Sequence, residues 1–432
     1  MKRVLMNTAI LRYGVKNFGS FGEEGGVVEL TTTSRDPHRE LWRDIGGQKV
    51  NLVTAIMGAN ASGKTTLLKP LPFLAWLFWK IPERLSDDMF IPVNRGVNNS
   101  CEIFVEFMLN GEFYKYELIS CTAFILEEAL YKKNENNKYV YIFKRKLDIG
   151  FIDEFSNDLE EVKKKPSKKG LEECLKKLKY SYKEKSELFP LGLEEGKRTP
   201  CNTSVVSSAR RVGVELANDI TRCMASRSNV TFLGRNHHEY SDIEEASEFF
   251  YDNPDSLERV KNILKKWDLG LDDIRIEKEE GTGDNGEKEE RYHLFGIHSL
   301  ENGHKFELPF YFESAGTQSA YVRLFDIITT LDTGGHCFID ELGDDLHPHM
   351  VKPILELFSD RETNPDGAQL IFACHKPELI NYLGKNRVII CEKTFNTSEC
   401  FRLDEFPASE ARADDNLAAK YLSGAFGGVP DL

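Results

Sequence analysis

Gly58-Ala59-Asn60-Ala61-Ser62-Gly63-Lys64-Thr65 is the stretch whose reading decides the fold. It matches G-x-x-x-x-G-K-[ST], a loop that wraps the phosphates of a nucleotide. Its setting matters as much as its letters. Residues 50–57 (VNLVTAIM) are apolar and partly β-branched, the text of a buried strand running straight into the loop. Residues 65–80 (TTLLKPLPFLAWLFWK) predict a mostly apolar helix leading away from it. Glycines at 58 and 63 let backbone N–H groups turn inward onto phosphate oxygens, and the helix N-terminus adds its positive dipole end. In that arrangement Lys64 reaches the β- and γ-phosphates and the Thr65 hydroxyl ligates Mg²⁺. Asn60, Ala61, Ser62 and Thr66 complete the candidate cradle, and ATP with Mg²⁺ is the expected occupant.

A chain of 432 residues has room for two or three domains' worth of core. Hydrophobic residues make up 41% and charged residues 29%, which fits a folded globular protein. The net charge of −14 argues against a broad basic surface, so any nucleic-acid contact must come from a local patch or a partner. Nine cysteines are scattered with no C-x-x-C pair, which suggests reduced thiols. The longest apolar run, residues 71–79, is too short to span a bilayer and is broken by Pro72. The opening MKRVLMNTAILRYG shows no secretory h-region or cleavage site. These features predict a cytoplasmic protein without a membrane partner.

Outward from the loop, residues 8–31 read as short strands and turns. Runs at 101–107 and 113–119 flank Asn110-Gly111, a strong hairpin signal, and further strands are expected at 123–131 and 139–145. Residues 1–150 thus read as a mixed-sheet N-terminal lobe around one phosphate-loop helix. Residues 151–290 change character and read as a mainly helical insertion. Within it, the lysine-rich stretch from Val162 predicts an amphipathic helix over 171–185, or else a local basic patch. Residues 241–268 predict helices broken at Asn253-Pro254, and 278–290 an exposed hairpin tip. Residues 291–432 return to α/β text, with buried-strand runs at 335–340, 368–374 and 388–392.

That last third supplies the carboxylates a phosphate loop needs. Cys337-Phe338-Ile339-Asp340-Glu341 ends a buried strand on two acids, which is costly unless a cation sits there. Asp340 is the expected Mg²⁺ residue and Glu341 the group that polarises the attacking water. Upstream, Ser314 and Gly316 stand at the start of an amphipathic helix as a second anion site. Downstream, His375 follows the next buried strand and is the expected γ-phosphate contact.

The order GANASGKT, SAGTQ, CFIDELGDDLHP, FACHKP resembles ABC-type ATPase heads of the SMC/recombination-repair class and the OLD family. It is most similar to AAA-labelled ATPases of bacterial phage-defence operons, RloA/AbiL-like and related to the ATPase subunits of the Septu and PARIS systems. The C-terminal Asp414-Asp415-Asn416 and the stretch from Tyr421 to Pro430 also resemble that group's endings. The resemblance covers the first hundred-odd and the last hundred and thirty residues and implies an α/β ABC-type head. It implies that two heads pair head-to-tail, with Ser314 and Gly316 of one closing over ATP held on Lys64 of the other. By the same token Asp344 and Asp345 lie at the seam. One departure stands out: the only glutamines are Gln48, Gln318 and Gln369, so none lies between the phosphate loop and Ser314 to complete the Mg²⁺ shell. Either another polar side chain substitutes, or water does, or turnover is slow, and slow turnover would suit a switch better than a motor.

The resemblance implies an ATP-dependent sensor or regulator that dimerises or forms higher oligomers. It would hold or release an effector, expected to be a nuclease from the same operon, in answer to a phage protein or nucleic acid. The alternative is a repair-type ATPase that clamps DNA, for which the 163–185 lysines leave room. A third reading makes the chain itself a nuclease, with His237-His238 and the nearby Glu239, Asp242, Glu244 and Glu245 binding metal, although such text is usually exposed loop. A transporter subunit is disfavoured by the absent standard signature and the long middle block.

Overall fold

The computed structural model describes residues 8–33, 35–85, 87, 89, 91–94, 100–148, 168–231, 234–236, 239–267, 270–282, 288–344, 346, 348–407, 410–412 and 415–429. The architecture is mixed α/β, built on two large sheets. The first is six-stranded and almost wholly parallel. Val53–Gly58, buried along its whole length, lies between Gln369–Ala373 and Val388–Thr394, parallel to both. His336–Ile339 and then Ser226–Ser228 extend the sheet in parallel on one side. Thr397–Arg402 closes the other edge antiparallel. Strands buried on both faces read as unbroken apolar runs, which is how the three runs of the last third showed themselves.

Alternate side chains of this sheet feed two cores. Ile56, Phe338 and Ile371 point to the face shared with helix Pro70–Trp79. Ala55, Met57, Ile339 and Phe372 point to the face covered by helices Ala315–Thr333 and Pro348–Ser359. The first core is closed by the second large sheet, seven antiparallel strands. Their order in space is Tyr180–Glu184, Tyr139–Leu147, Ile125–Lys133, Glu112–Ser120, Cys101–Leu109, Ala9–Lys16 and Gly26–Glu29. The Asn110-Gly111 turn is a tight hairpin with positive φ at both residues, 53° and 80°.

Several local expectations need correction. The helix predicted from 65 to 80 is two pieces, Lys64–Leu68 and Pro70–Trp79, because Pro70 has no N–H with which to continue the ladder. The helix predicted over 171–185 ends at Leu175, and Tyr180–Glu184 is instead the edge strand of the seven-stranded sheet. There, burial of Tyr180 and Tyr182 at period two outweighs the helical spacing of the leucines before them. Residues 151–290, expected to be mainly helical, do hold helices Lys168–Leu175, Leu193–Arg198, Val205–Arg211, Glu215–Met224, Tyr240–Asp252 and Pro254–Lys266. They also supply Ser226–Ser228 and the strand Asp273–Thr282, which pairs with Lys288–Ser299. The lysines at 163–167 and the hairpin tip at 283–287 lie outside the described residues.

Two buried polar ties fix the first strands of the chain against the last third. Gln369 accepts from Ile10 N at 2.8 Å and donates to the carbonyls of Ile10 and Asn51, both at 3.1 Å. Arg387 pairs with Asp36 with both side chains fully buried, and donates to the Leu383 carbonyl at 2.8 Å. Burial pushes the Asp36 carboxyl up, but the Arg387 guanidinium and the hydrogen bonds from Thr32 and His38 N together hold the group below its ordinary range. Among the described residues, no helix is long and apolar enough to cross a membrane.

Candidate nucleotide site

The chain leaves Val53–Gly58 at the carboxyl edge of the parallel sheet and turns back through positive φ at Gly58 (148°), Ala61 (61°) and Gly63 (115°). A Cβ at 58 would sit 2.1 Å from the Cys391 carbonyl, and one at 63 would sit 2.7 Å from Ser398 Oγ. Both positions therefore require glycine on space as well as conformation. Asn60 and Ala61 face solvent at the crest, whereas Ser62 is buried and its Oγ has no hydrogen-bond partner. Thr66, on the first turn, packs under Gly19.

Lys64 folds back over the loop it ends, donating to the carbonyls of Gly58 at 3.1 Å and Ala59 at 3.0 Å. Burial lowers its pKa from the ordinary value, and the nearby Glu341 and Asp340 oppose that shift. A desolvated ammonium hydrogen-bonded to two carbonyls is poised for an anion. Next along, Thr65 Oγ1 donates to Asp340 Oδ2 at 2.7 Å, so residues 275 apart in sequence meet at one point. Asp340 is buried, and its other oxygen, Oδ1, has no hydrogen-bond partner. A hydroxyl, a carboxylate and an unsatisfied carboxylate oxygen fit Mg²⁺, which takes one or two protein oxygens and completes its shell with phosphate and water. Among the described residues no cluster of three or more His, Cys, Asp or Glu could hold a metal by itself.

Asp340 is held by a residue that sequence reasoning missed. Asn229 Oδ1 accepts from Asp340 N at 2.8 Å, and Asn229 Nδ2 donates to the Asp340 carbonyl at 3.0 Å. Asn229 directly follows the edge strand Ser226–Ser228, and no motif marks it. Glu341 then adopts φ +54°, an uncommon conformation for a residue with a side chain. Its Oε1 lies 3.1 Å from His375 Nε2. The two come from adjacent strand ends, where Leu342 N donates to the Ala373 carbonyl at 2.9 Å. Lys376, beside the histidine, buries its Nζ without a hydrogen-bond partner close under Gly343.

The structure thus brings together Gly58, Ser62, Gly63, Lys64, Thr65, Asp340, Glu341 and His375. It does not bring Ser314 to them within the hydrogen bonds described. Ser314 is exposed at the N-cap of helix Ala315–Thr333, where its Oγ accepts from Thr317 N at 3.1 Å, and Gly316 lies in the same first turn. That helix of 19 residues is about 28 Å long and turns through Gly334 directly into His336–Ile339, a strand of about 13 Å. The reversal puts Ser314 on the carboxyl side of the sheet and beyond its edge. Asp344 pairs with Arg235 at 2.5 Å, and Asp345 lies outside the described residues. His237 and His238 also lie outside them. Of the acids named with that pair, Glu239 and Asp242 form the capping box of helix Tyr240–Asp252, and Glu245 pairs with Arg227 at 2.9 Å.

Comparison with known proteins adds to this geometry. A family model described as "AAA domain, putative AbiEii toxin, Type IV TA system" matches residues 202–381. The match takes in Asn229, Ser314, Asp340, Glu341 and His375, and leaves the phosphate loop outside. No curated protein matches the chain. Among solved structures, RecF in "Structure of the recombination mediator protein RecF-ATPrS in RecFOR pathway" is similar at 11% identity and a TM-score of 0.32. That alignment covers 93% of this chain and 99% of that one, and at such a score it carries no argument. Phosphate loop, paired carboxylates, strand-end histidine and family match together are similar to those of ABC/AAA-type ATPases.

Proposed function

We propose that the chain binds and hydrolyses ATP with Mg²⁺, and that its nucleotide state controls a toxic effector, a nuclease from the same operon, in defence against phage. The observation that carries the ATPase reading is the Thr65–Asp340 hydrogen bond beside Lys64, with one Asp340 oxygen left over. The loop's N–H groups and Lys64 bind the β- and γ-phosphates. Thr65 and Asp340 hold Mg²⁺, which supplies neutralisation of charge on the phosphates. Glu341 takes the proton of a water whose oxygen bonds to the γ-phosphorus while the bond to the β–γ bridging oxygen breaks, leaving ADP and phosphate. His375 Nε2 lies 3.1 Å from Glu341 Oε1, and a turn of the imidazole towards the γ-phosphate would leave the carboxylate to the water.

Ser314 and Gly316 of a second copy complete the site across a head-to-tail dimer, and ATP thereby becomes the link between two chains. The exposed N-cap beyond the sheet edge supports this reading. The toxin and toxin–antitoxin wording of the matched family model supports the defence role. The test is ADP release with and without Mg²⁺, followed by purification from cells carrying the genomic neighbours, before and after phage challenge. ATP-dependent retention of a neighbour-encoded protein is the expected outcome. Unchanged phage protection after Lys64→Ala rejects control by nucleotide, and wild-type cells no better protected than cells lacking the gene reject the defence role.

One observation favours the second reading, a repair-type DNA clamp. Lys144, Lys183 and Lys185 surround the Tyr141 ring at 6.0, 4.9 and 5.8 Å, a small basic and aromatic patch on an acidic chain. Salt-sensitive retention of duplex DNA by the ATP-bound protein, lost with these lysines, would move the assignment there.

A further inference from the structure

Phe395 is the most exposed large apolar side chain among the described residues, at 98%, and it also sits in a strained backbone. It is the first central residue of the two-residue turn between Val388–Thr394 and Thr397–Arg402, where Thr394 pairs with Thr397. Phe395 and Asn396 have φ of 48° and 65°, the double positive φ of a type I′ turn. The turn at Asn110-Gly111 meets the same demand with the residues it favours. A phenylalanine there costs conformational strain and exposes a ring, and neither cost is offset by a contact with the chain. Strain of this kind, kept against stability, points to a role outside the fold.

The sheet order supplies that role. Along the carboxyl edge stand Asp340, then His375, then the phosphate loop, then the Phe395 hairpin. On the nucleotide reading a γ-phosphate at Asp340 and His375 would leave the α-phosphate, ribose and base to run the opposite way, towards the hairpin. Cys391 is the register partner of Gly58, and Phe395 lies four residues further, about 13 Å beyond the strand end. The hairpin is pinned beside the loop. Ser398 N donates to the Ser20 carbonyl at 2.9 Å, and Ser398 Oγ lies 2.6 Å from Ser20 Oγ and under Gly63. Phe18 and Phe21, two further rings beside the loop, are fully buried and have no face to offer.

We propose that the Phe395 ring stacks on the base of the nucleotide held by the phosphate loop, and so favours nucleoside triphosphates over bare polyphosphate. The inference rests on the nucleotide reading of the site and goes beyond it by naming the base contact. The test is calorimetric binding of ATP and of inorganic tripolyphosphate, each with Mg²⁺, to wild type, Phe395→Ala and Phe395→Gly. Base–aromatic stacking predicts that ATP binding weakens about tenfold in both variants while tripolyphosphate binding is unchanged. Relief of strain predicts that Phe395→Gly without nucleotide melts no lower than wild type, so lost affinity is not lost fold. Equal ATP affinity in all three proteins overturns the stacking and leaves the nucleotide site standing. Equal weakening for both ligands also overturns it, since the hairpin would then act through the loop. A wild type that binds neither ligand overturns the nucleotide reading, and the stacking with it.

Discussion

The two ends of the candidate site differ in how finished they are. At the phosphate loop the main groups are tied to one another: Lys64 lies on two carbonyls, Thr65 on Asp340, Asp340 on Asn229, and Glu341 on His375. At the start of helix Ala315–Thr333, Ser314 bonds only within its own first turn and faces water. The first end is held by strands packed on both faces, where a shift of one side chain disturbs many others. At the second, Glu313 is tied to His298 at 2.7 Å, and Ser314 beside it is left exposed. On the proposed reading, the difference teaches that one chain would hold the triphosphate and a second would enclose it.

Substitutions at the finished end should be severe in distinct ways. Glu341→Gln keeps shape and ATP affinity but removes the proton acceptor, and steady-state ADP release should fall about 10²- to 10⁴-fold. Lys64→Ala leaves phosphate charge facing a buried gap, and ATP affinity measured by calorimetry should fall by about 2–5 kcal/mol, at least ~30-fold. Unchanged affinity there would contradict the site. Asn229→Ala leaves the buried N–H and carbonyl of Asp340 unpaired, at about 1–3 kcal/mol for each lost group. It should lower the melting temperature and weaken ATP binding more in Mg²⁺ than in EDTA. A purely structural asparagine would weaken both equally.

A smaller effect tests the packing beneath the carboxylates. His336 opens the strand that ends at Asp340, and burial depresses its pKa to about 4. Below pH 6.5 the unfolded chain takes up a proton that the folded chain refuses. The stability this group contributes is therefore complete above pH 6.5 and declines as pH falls towards 4, by at most about 1.4 kcal/mol per pH unit. His336→Gln should flatten that part of the denaturation profile. An equally steep acid decline in the variant would place the titration elsewhere.

The contrast also explains what was legible in the sequence. The phosphate loop, the acids after Ile339 and His375 could be read because each ends a buried parallel strand, and such strands announce themselves as apolar runs. Asn229 could not, since it follows a three-residue edge strand, too short for any periodicity, and works through its backbone-matching amide. Tyr180–Glu184 was read as helix because the leucines before it repeat at helical spacing, whereas its own tyrosines bury at period two against a sheet that no local pattern reveals. Phe395 gave no signal, because its turn is made by φ values that Asn-Gly would advertise and Phe-Asn does not.

The most direct test of the central claim is the mass of the Glu341→Gln protein in solution, by mass photometry with ATP and Mg²⁺, with and without Ser314→Arg in the same chain. The account predicts a dimer or larger assembly that requires ATP and is lost when Arg replaces Ser314, while one-chain ATP affinity stays within about twofold. A protein that remains monomeric in ATP, or an assembly indifferent to both ATP and Ser314, would contradict it.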